Sequence, residues 1–255
     1  MEFDFENSGI PVKAYFSQEN VEEIFLPLLR RLTELQREKG GRALVFMAAP
    51  PGAGKSTLAA FLRELSLTHP GLCPLTVIGM DGFHRRQEYL LSHTTVRNGV
   101  TIPLVRIKGA PVTFDLDLLH QAIARVASGE ECGWPVYDRL LHNPRENALH
   151  VSGELVLLEG NYLLLKEDGW RSLRRYADYT VMITADPALL RRRLITRHIL
   201  SGKTPEEAAA FVDGSDLPNA RLCLERSDSA DLTLTLQPDD TFSVSASAPS
   251  ADRKI

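Results

Sequence analysis

Apolar and polar positions alternate along the chain with two different periods, and the periods sort most of it into helices and strands. From Asn20 to Glu38 the apolar residues Val21, Ile24, Phe25, Leu28, Leu29, Leu32 and Leu35 recur at helical spacing, which predicts an amphipathic helix packed on a core. Asn20 with Glu23 has the pattern of a capping box, and Gly40-Gly41 ends the helix. Short continuous apolar runs at 44–48, 154–159 and 179–183 predict strands buried on both faces. Another strand is predicted over 75–80, ending in Met80-Asp81-Gly82-Phe83-His84, and 232–236 alternates like a final strand that hairpins through 237–240 onto Phe242 and Val244.

Further helices are predicted from 55 to 66, from 115 to 128, from Asp186-Pro187 to about Leu200, and from the capping box Thr204-Pro205-Glu206-Glu207. Phe3-Asp4-Phe5 and Val12-Lys13-Ala14-Tyr15 flank Asn7-Ser8-Gly9 as a small hairpin would. Strands that alternate with helices predict an α/β fold with a parallel sheet, whose ligands gather at the carboxyl ends of the strands. The expected organisation is a hairpin and helix over 1–41, one phosphate-loop domain over 42–246 with a helical lid at about 190–205, and a mobile tail over 247–255.

The run Leu44-Val45-Phe46-Met47-Ala48 leads directly into Ala49-Pro50-Pro51-Gly52-Ala53-Gly54-Lys55-Ser56-Thr57. A GxxxxGK[ST] loop points consecutive backbone N–H groups at a β-phosphate, and the next helix adds the positive end of its dipole. Pro51, Gly52, Ala53, Gly54, Lys55, Ser56 and Thr57 are therefore the expected nucleotide contacts. Lys55 would reach the β and γ phosphates, and the Ser56 hydroxyl would sit on Mg²⁺. Ala49 takes the place of the first glycine, while Gly52 and Gly54 remain where backbone must approach phosphate closely. An ordinary Gly/Pro turn is the competing reading, but a cation at the helix start argues against a simple cap.

Two other strand ends bring carboxylates to the same crevice. Asp81, a carboxylate ionised at neutral pH, could accept the proton of a substrate hydroxyl during phosphoryl transfer. Position alone serves equally well for an aspartate that caps its turn. Glu159 stands where it could order Mg²⁺ or its water shell. Arg191, Arg192, Arg193 and Arg197 crowd one helix, with Arg193 and Arg197 on a common face. A solvated helix face is the plain explanation, and guanidinium groups closing on a transferring phosphoryl are the sharper one. Ser201-Gly202-Lys203 could hinge that helix.

The chain resembles the P-loop kinase group that contains uridine kinase, pantothenate kinase and phosphoribulokinase, and within it bacterial nucleoside/nucleotide kinase-like and fructose-transport-associated kinases. The resemblance rests on the phosphate loop, Met80-Asp81-Gly82-Phe83-His84, Lys108-Gly109-Ala110-Pro111, Thr113-Phe114-Asp115, Trp134-Pro135-Val136-Tyr137-Asp138-Arg139, Leu158-Glu159-Gly160-Asn161-Tyr162 and Ser215-Asp216-Leu217-Pro218-Asn219-Ala220. It implies an ATP- and Mg²⁺-dependent kinase of a small hydroxyl compound, a nucleoside or a sugar, with Asp81 in the place of the catalytic aspartate. It also implies that Tyr137 and His142 contact the acceptor, that His84 and Arg139 line its site, and that Asn219 belongs to the wall of the nucleotide base. The stretch from Leu90 to Ile102 is longer than in compact relatives and falls where the acceptor is held.

Composition narrows the partners further. With 29 basic and 33 acidic residues the net charge is −4, so no basic field calls for nucleic acid. No apolar run is long enough for a membrane span, and the opening Met1-Glu2-Phe3-Asp4 lacks a signal peptide's basic start, which predicts a cytoplasmic protein without a membrane partner. Cys73, Cys132 and Cys223 are expected to be buried thiols. A homo-oligomer is compatible with all of this. The main alternative is a nucleotide-driven ATPase or switch without a small acceptor, but the chain has no Asn-Lys-x-Asp or Leu-Ser-Gly-Gly motif.

Overall fold

Alternating side chains on β-strands face opposite sides of a sheet, so a strand with no polar position must be covered on both. The computed structural model, which describes residues 1–7, 10–97, 99–138 and 141–245, meets that requirement with a three-layer sandwich. The chain opens with a hairpin of β1 (Glu2–Asn7) and β2 (Ile10–Tyr15). A helical rod follows: α1 (Gln18–Asn20), a π turn (Val21–Phe25) and α2 (Leu26–Lys39). β3 (Ala43–Ala48), α3 (Lys55–Thr68) and β4 (Leu75–Gly79) make the first crossover.

Next come α4 (Gln87–Ser92), a hairpin of β5 (Thr94–Arg97) and β6 (Val100–Pro103), and α5 (Leu116–Ala127). A long two-stranded ribbon, β7 (Cys132–Asp138) and β8 (Asn143–Val151), leads into β9 (Leu155–Gly160) and β10 (Tyr179–Ala185). Two helices follow, α6 (Pro187–Leu200) and α7 (Pro205–Phe211), and a π turn (Val212–Asp216) continues into α8 (Leu217–Arg226). β11 (Leu232–Leu236) and β12 (Phe242–Ser245) close the chain.

The central sheet has the order β12-β11-β10-β3-β9-β4, parallel except for the antiparallel edge β12. Period-two alternation divides its side chains between two cores. Val45, Met47, Leu157 and Ile183 join Leu29, Leu62 and Leu190 on one side; Leu44, Phe46, Leu158 and Met182 join Leu119, Ile123 and Trp134 on the other. β3 and β9 are buried along their whole length, which is why both read as uninterrupted apolar runs. Among the described residues, no helix is long and apolar enough to cross a membrane.

Two expectations need correction. The capping box at Asn20 does not form. Ser17 caps the first helix, accepting from the Asn20 N–H at 3.1 Å. The Asn20 side chain instead clasps the edge strand: its Nδ2 donates to the Phe242 carbonyl at 2.8 Å and its Oδ1 accepts from the Phe242 N–H at 2.7 Å. A neighbour more than two hundred residues away thus takes the amide that local pattern assigned to a cap. The stretch from Leu90 to Ile102 is the end of α4 and most of the β5–β6 hairpin. Cys73 is only partly buried, whereas Cys132 and Cys223 are buried as expected. The expected tail, 247–255, together with residue 246, and Ser8 and Gly9 lie outside the described residues.

The Asn20 clasp yields a stability prediction. Asn20→Ala leaves a buried donor and a buried acceptor of Phe242 unpaired, at about 1–3 kcal/mol each. Urea denaturation is expected to show a loss of about 2–4 kcal/mol for the variant; a loss below about 0.5 kcal/mol would show that water replaces the side chain there.

Candidate active site

The parallel order sets β9 between β3 and β4, so three loops that are remote in sequence leave the sheet side by side. Register pairs Met47 with Glu159 and Gly79 with Glu159, and the Ala49 N–H extends the ladder to the Gly160 carbonyl at 3.2 Å. Ala49 is fully buried, so its methyl group lies in the core at the loop's entrance and leaves the phosphate face alone. Gly52 and Gly54 have φ of 85° and 80°, the left-handed region that their lack of a β-carbon permits. Gly54 caps α3, so the N–H groups of Lys55, Ser56 and Thr57 open the first turn of that helix. Pro51 and Ala53 are buried supports of the loop.

Polar groups converge beneath this loop. The Ser56 hydroxyl donates to Glu159 Oε1 at 2.7 Å, and Lys55 Nζ stands 4.0 Å from Glu159 Oε2. Both members of that ion pair are nearly buried, with side chains 13% and 12% exposed, so their charges act in a low effective dielectric. Gly79 leaves room for the carboxylate: a β-carbon there would lie 3.4 Å from Glu159 Oε1. Burial pushes the Cys223 thiol up to about 12 despite the nearby Lys55 ammonium, so it stays protonated and donates to the Asn161 carbonyl at 2.9 Å.

Asp81 follows directly on β4, in the one-turn 3-10 helix Met80–Phe83. Its carbonyl accepts from the His84 N–H at 3.2 Å and from His84 Nδ1 at 2.9 Å. Because a carbonyl can only accept, Nδ1 carries the ring hydrogen in neutral His84. The His84 ring is 4.0 Å from Phe114 and 5.1 Å from Tyr137, centroid to centroid. The turn is wedged against the β7 strand, since a β-carbon on Gly82 would lie 2.0 Å from the Pro135 carbonyl oxygen. Tyr162 donates to the Gly109 carbonyl at 2.6 Å; burial, reinforced by the charges of Asp81 and Asp216, holds its phenol well above the usual range.

The arginines of α6 separate by role. Arg193 reaches the loop, its Nε donating to the Gly52 carbonyl at 3.0 Å, while Nη1 pairs with Asp240 in the β11–β12 turn. Arg191 is held away by a bidentate pair with Asp213 at 2.8 Å for both bonds. Arg197 stands 3.9 Å from Asp216, which also accepts from His198 Nε2 at 2.7 Å. The helix itself rests on the loop: a β-carbon on Gly52 would lie 2.9 Å from Leu194 Cγ.

His142 is exposed with φ of 53°, and its backbone carbonyl, rather than its ring, meets the site by accepting from Lys108 Nζ at 3.1 Å. Asn219, which the resemblance puts in the base wall, is nearly buried, and its Nδ2 is 3.6 Å from where a β-carbon of Gly109 would be. Arg139 lies outside the described residues. Sequence reasoning gave no role to Lys108, although it quoted the Lys108-Gly109-Ala110-Pro111 segment. It also gave none to Asn161 Oδ1 and Ser215 Oγ, which are buried and have no protein partner.

A phosphate loop at the end of the central strand, with a buried carboxylate beside its serine and an aspartate on the neighbouring strand end, defines a P-loop phosphotransferase. The comparisons agree. No family model matches the chain. It is 37% identical to the uncharacterized protein YggC of Escherichia coli (strain K12), over 95% of this chain and 98% of that one. It is 30% identical to a Schizosaccharomyces pombe protein provisionally named a uridine kinase, over 75% of this chain and 82% of the relative. A crystal structure from Silicibacter sp. TM1040, provisionally titled a fructose transport system kinase, superposes with a TM-score of 0.70 at 32% identity, over 80% of this chain and 98% of that one. The chain belongs to the P-loop kinase group that includes uridine kinase and pantothenate kinase, and it is a small-molecule kinase.

Gly82 gives the site a direct test. Gly82→Ala forces the Asp81 turn or β7 to move, with an expected loss of about 2–4 kcal/mol by denaturant unfolding. Gly214→Ala, where nothing lies within 4 Å of the new carbon, is the matched control and is expected to be neutral or slightly stabilising. Equal stability of the two variants would mean that the Gly82–Pro135 contact imposes no constraint.

Proposed function

We propose that this kinase transfers the γ-phosphoryl group of ATP to a hydroxyl of a nucleoside or a sugar, with Mg²⁺ assisting. The observation that carries the reading is the Ser56–Glu159 hydrogen bond at 2.7 Å, because it joins the phosphate loop to the strand whose other neighbour ends at Asp81. Nucleotide and acceptor ends of one reaction then share a single rigid edge.

Each residue has a distinct task. The N–H groups at the start of α3 and the Lys55 ammonium bind phosphate oxygens. Ser56 and Glu159 would hold Mg²⁺: one hydroxyl and one carboxylate suit an ion that keeps several waters and binds substrate phosphates. When bound, the ion neutralises charge on the phosphates. Asp81 takes the proton of the acceptor hydroxyl as its oxygen attacks phosphorus. His84 and Tyr137 form the wall on which the acceptor rests. Arg193, already at the loop, supplies guanidinium hydrogen bonds to the transferring group, and Arg197 stands one turn further along the same helix.

The test is ADP formation with labelled ATP, Mg²⁺ and a panel of nucleosides and sugars. Asp81→Asn is expected to lower kcat by at least about 100-fold while the affinity for ATP changes by less than about threefold. Lys55→Ala is expected to weaken both nucleotide binding and turnover. Phosphate release that no acceptor stimulates would favour an ATPase, and unchanged turnover in Asp81→Asn would remove that residue from its role.

A further inference from the structure

Two arginines at this end of the site have a carboxylate beside them. Arg85 pairs with Asp115 at 3.0 Å and Arg86 with Glu146 at 2.7 Å. Lys108 does not. Its ammonium donates to Gln87 Oε1 at 2.9 Å and to the His142 carbonyl at 3.1 Å, and lies 4.9 Å from the centroid of the Tyr137 ring. All three partners are neutral, and among the described residues no carboxylate lies within ion-pair distance of Lys108. Burial accordingly lowers its pKa with no acidic neighbour to oppose the shift.

A partly desolvated ammonium without a counter-charge is costly, and dipoles and a ring face offset that cost only in part. Two of its three N–H bonds are committed, which leaves one donor for an incoming group. Its place in the site is specific. The Tyr137 ring that it faces also meets His84, and His84 is bonded to the backbone of Asp81. Contacts thus run in sequence from the Asp81 turn through His84 and Tyr137 to Lys108.

We propose that Lys108 recognises an anionic group on the acceptor, so that the metabolite phosphorylated here carries a phosphate or a carboxylate in addition to the hydroxyl that reacts. The proposal rests on the kinase reading above and sharpens its substrate class. Lys108 is a positioning residue: it fixes the far end of the acceptor while Asp81 acts on the near one. The cation also selects against neutral compounds of the same shape, because without an anion its desolvation stays uncompensated.

The test uses the full chain with ATP and Mg²⁺ and compares matched acceptors: ribose, ribose 5-phosphate and ribonate; fructose and fructose 6-phosphate; uridine and uridine 5′-monophosphate. The expected result is that an anionic member exceeds its neutral partner at least about tenfold in kcat/KM, with the phosphate and carboxylate arms telling the two anions apart. Lys108→Met should raise the KM for that anionic acceptor by about 10–100-fold while the KM for ATP holds, and Lys108→Arg should recover most of the loss. A lysine that merely tethers the β7–β8 turn predicts something else: a lower Tm and an equal loss with charged and neutral acceptors, which would overturn the proposal. A neutral member that outperforms its anionic partner would overturn it too, leaving the kinase reading intact. Absence of acceptor-dependent ADP with every compound would remove the nucleoside-or-sugar reading and this proposal together.

Discussion

The pairing of β3 with β9 is the contact on which everything else depends. These strands are separated by more than a hundred residues, yet their register sets Met47 opposite Glu159 and carries the ladder one bond further, from Ala49 to Gly160. A slip of one residue would turn every side chain of β9 to the opposite face and remove the Glu159 carboxylate from Ser56 and Lys55. Burial guards against that slip. Leu155 and Leu157 belong to one core and Val156 and Leu158 to the other, so the register that satisfies both cores is also the one that assembles the phosphate site.

Much of this was legible in the chain because the signals were local. The fully buried strands announce themselves as apolar runs, and the two loop glycines have the positive φ that a close approach of backbone to phosphate calls for. Sheet order was not legible: nothing in the residues of β9 says that it inserts between β3 and β4, since periodicity reports faces and not neighbours. Asn20 shows the same limit from the other side. Its local pattern suited a cap, but two bonds to the backbone of Phe242 at the far end of the chain outweighed it.

The β7–β8 ribbon escaped prediction for a different reason. Its strands are only partly covered and carry Pro135, Arg145 and Glu146, so neither an apolar run nor a clean alternation marks them. The ribbon nevertheless supplies Tyr137 and the carbonyl of Pro135 against which Gly82 is wedged. Residues on well-patterned elements, such as Lys55 and Glu159, could thus be picked out as candidates from the chain alone. Lys108 could be quoted within a motif and still have no task, because its significance is a missing counter-charge, and only the fold shows which carboxylates are near.

The two sides of the site are held to the sheet by different means, and this bears on how the reaction is organised. At Asp81 the constraint is backbone against backbone, Gly82 against Pro135, and it needs no mobile side chain. At α6 it is side chain against loop: Leu194 packs over Gly52, and Arg193 bonds to the Gly52 carbonyl. Long side chains can repack where strand backbones cannot. In α6, Arg191 and Arg193 hold the exposed carboxylates of Asp213 and Asp240, whereas Arg197 stands beside the buried Asp216. An arginine that trades a surface carboxylate for a phosphate keeps its ionic hydrogen bonds, so little of the binding energy is lost in freeing it.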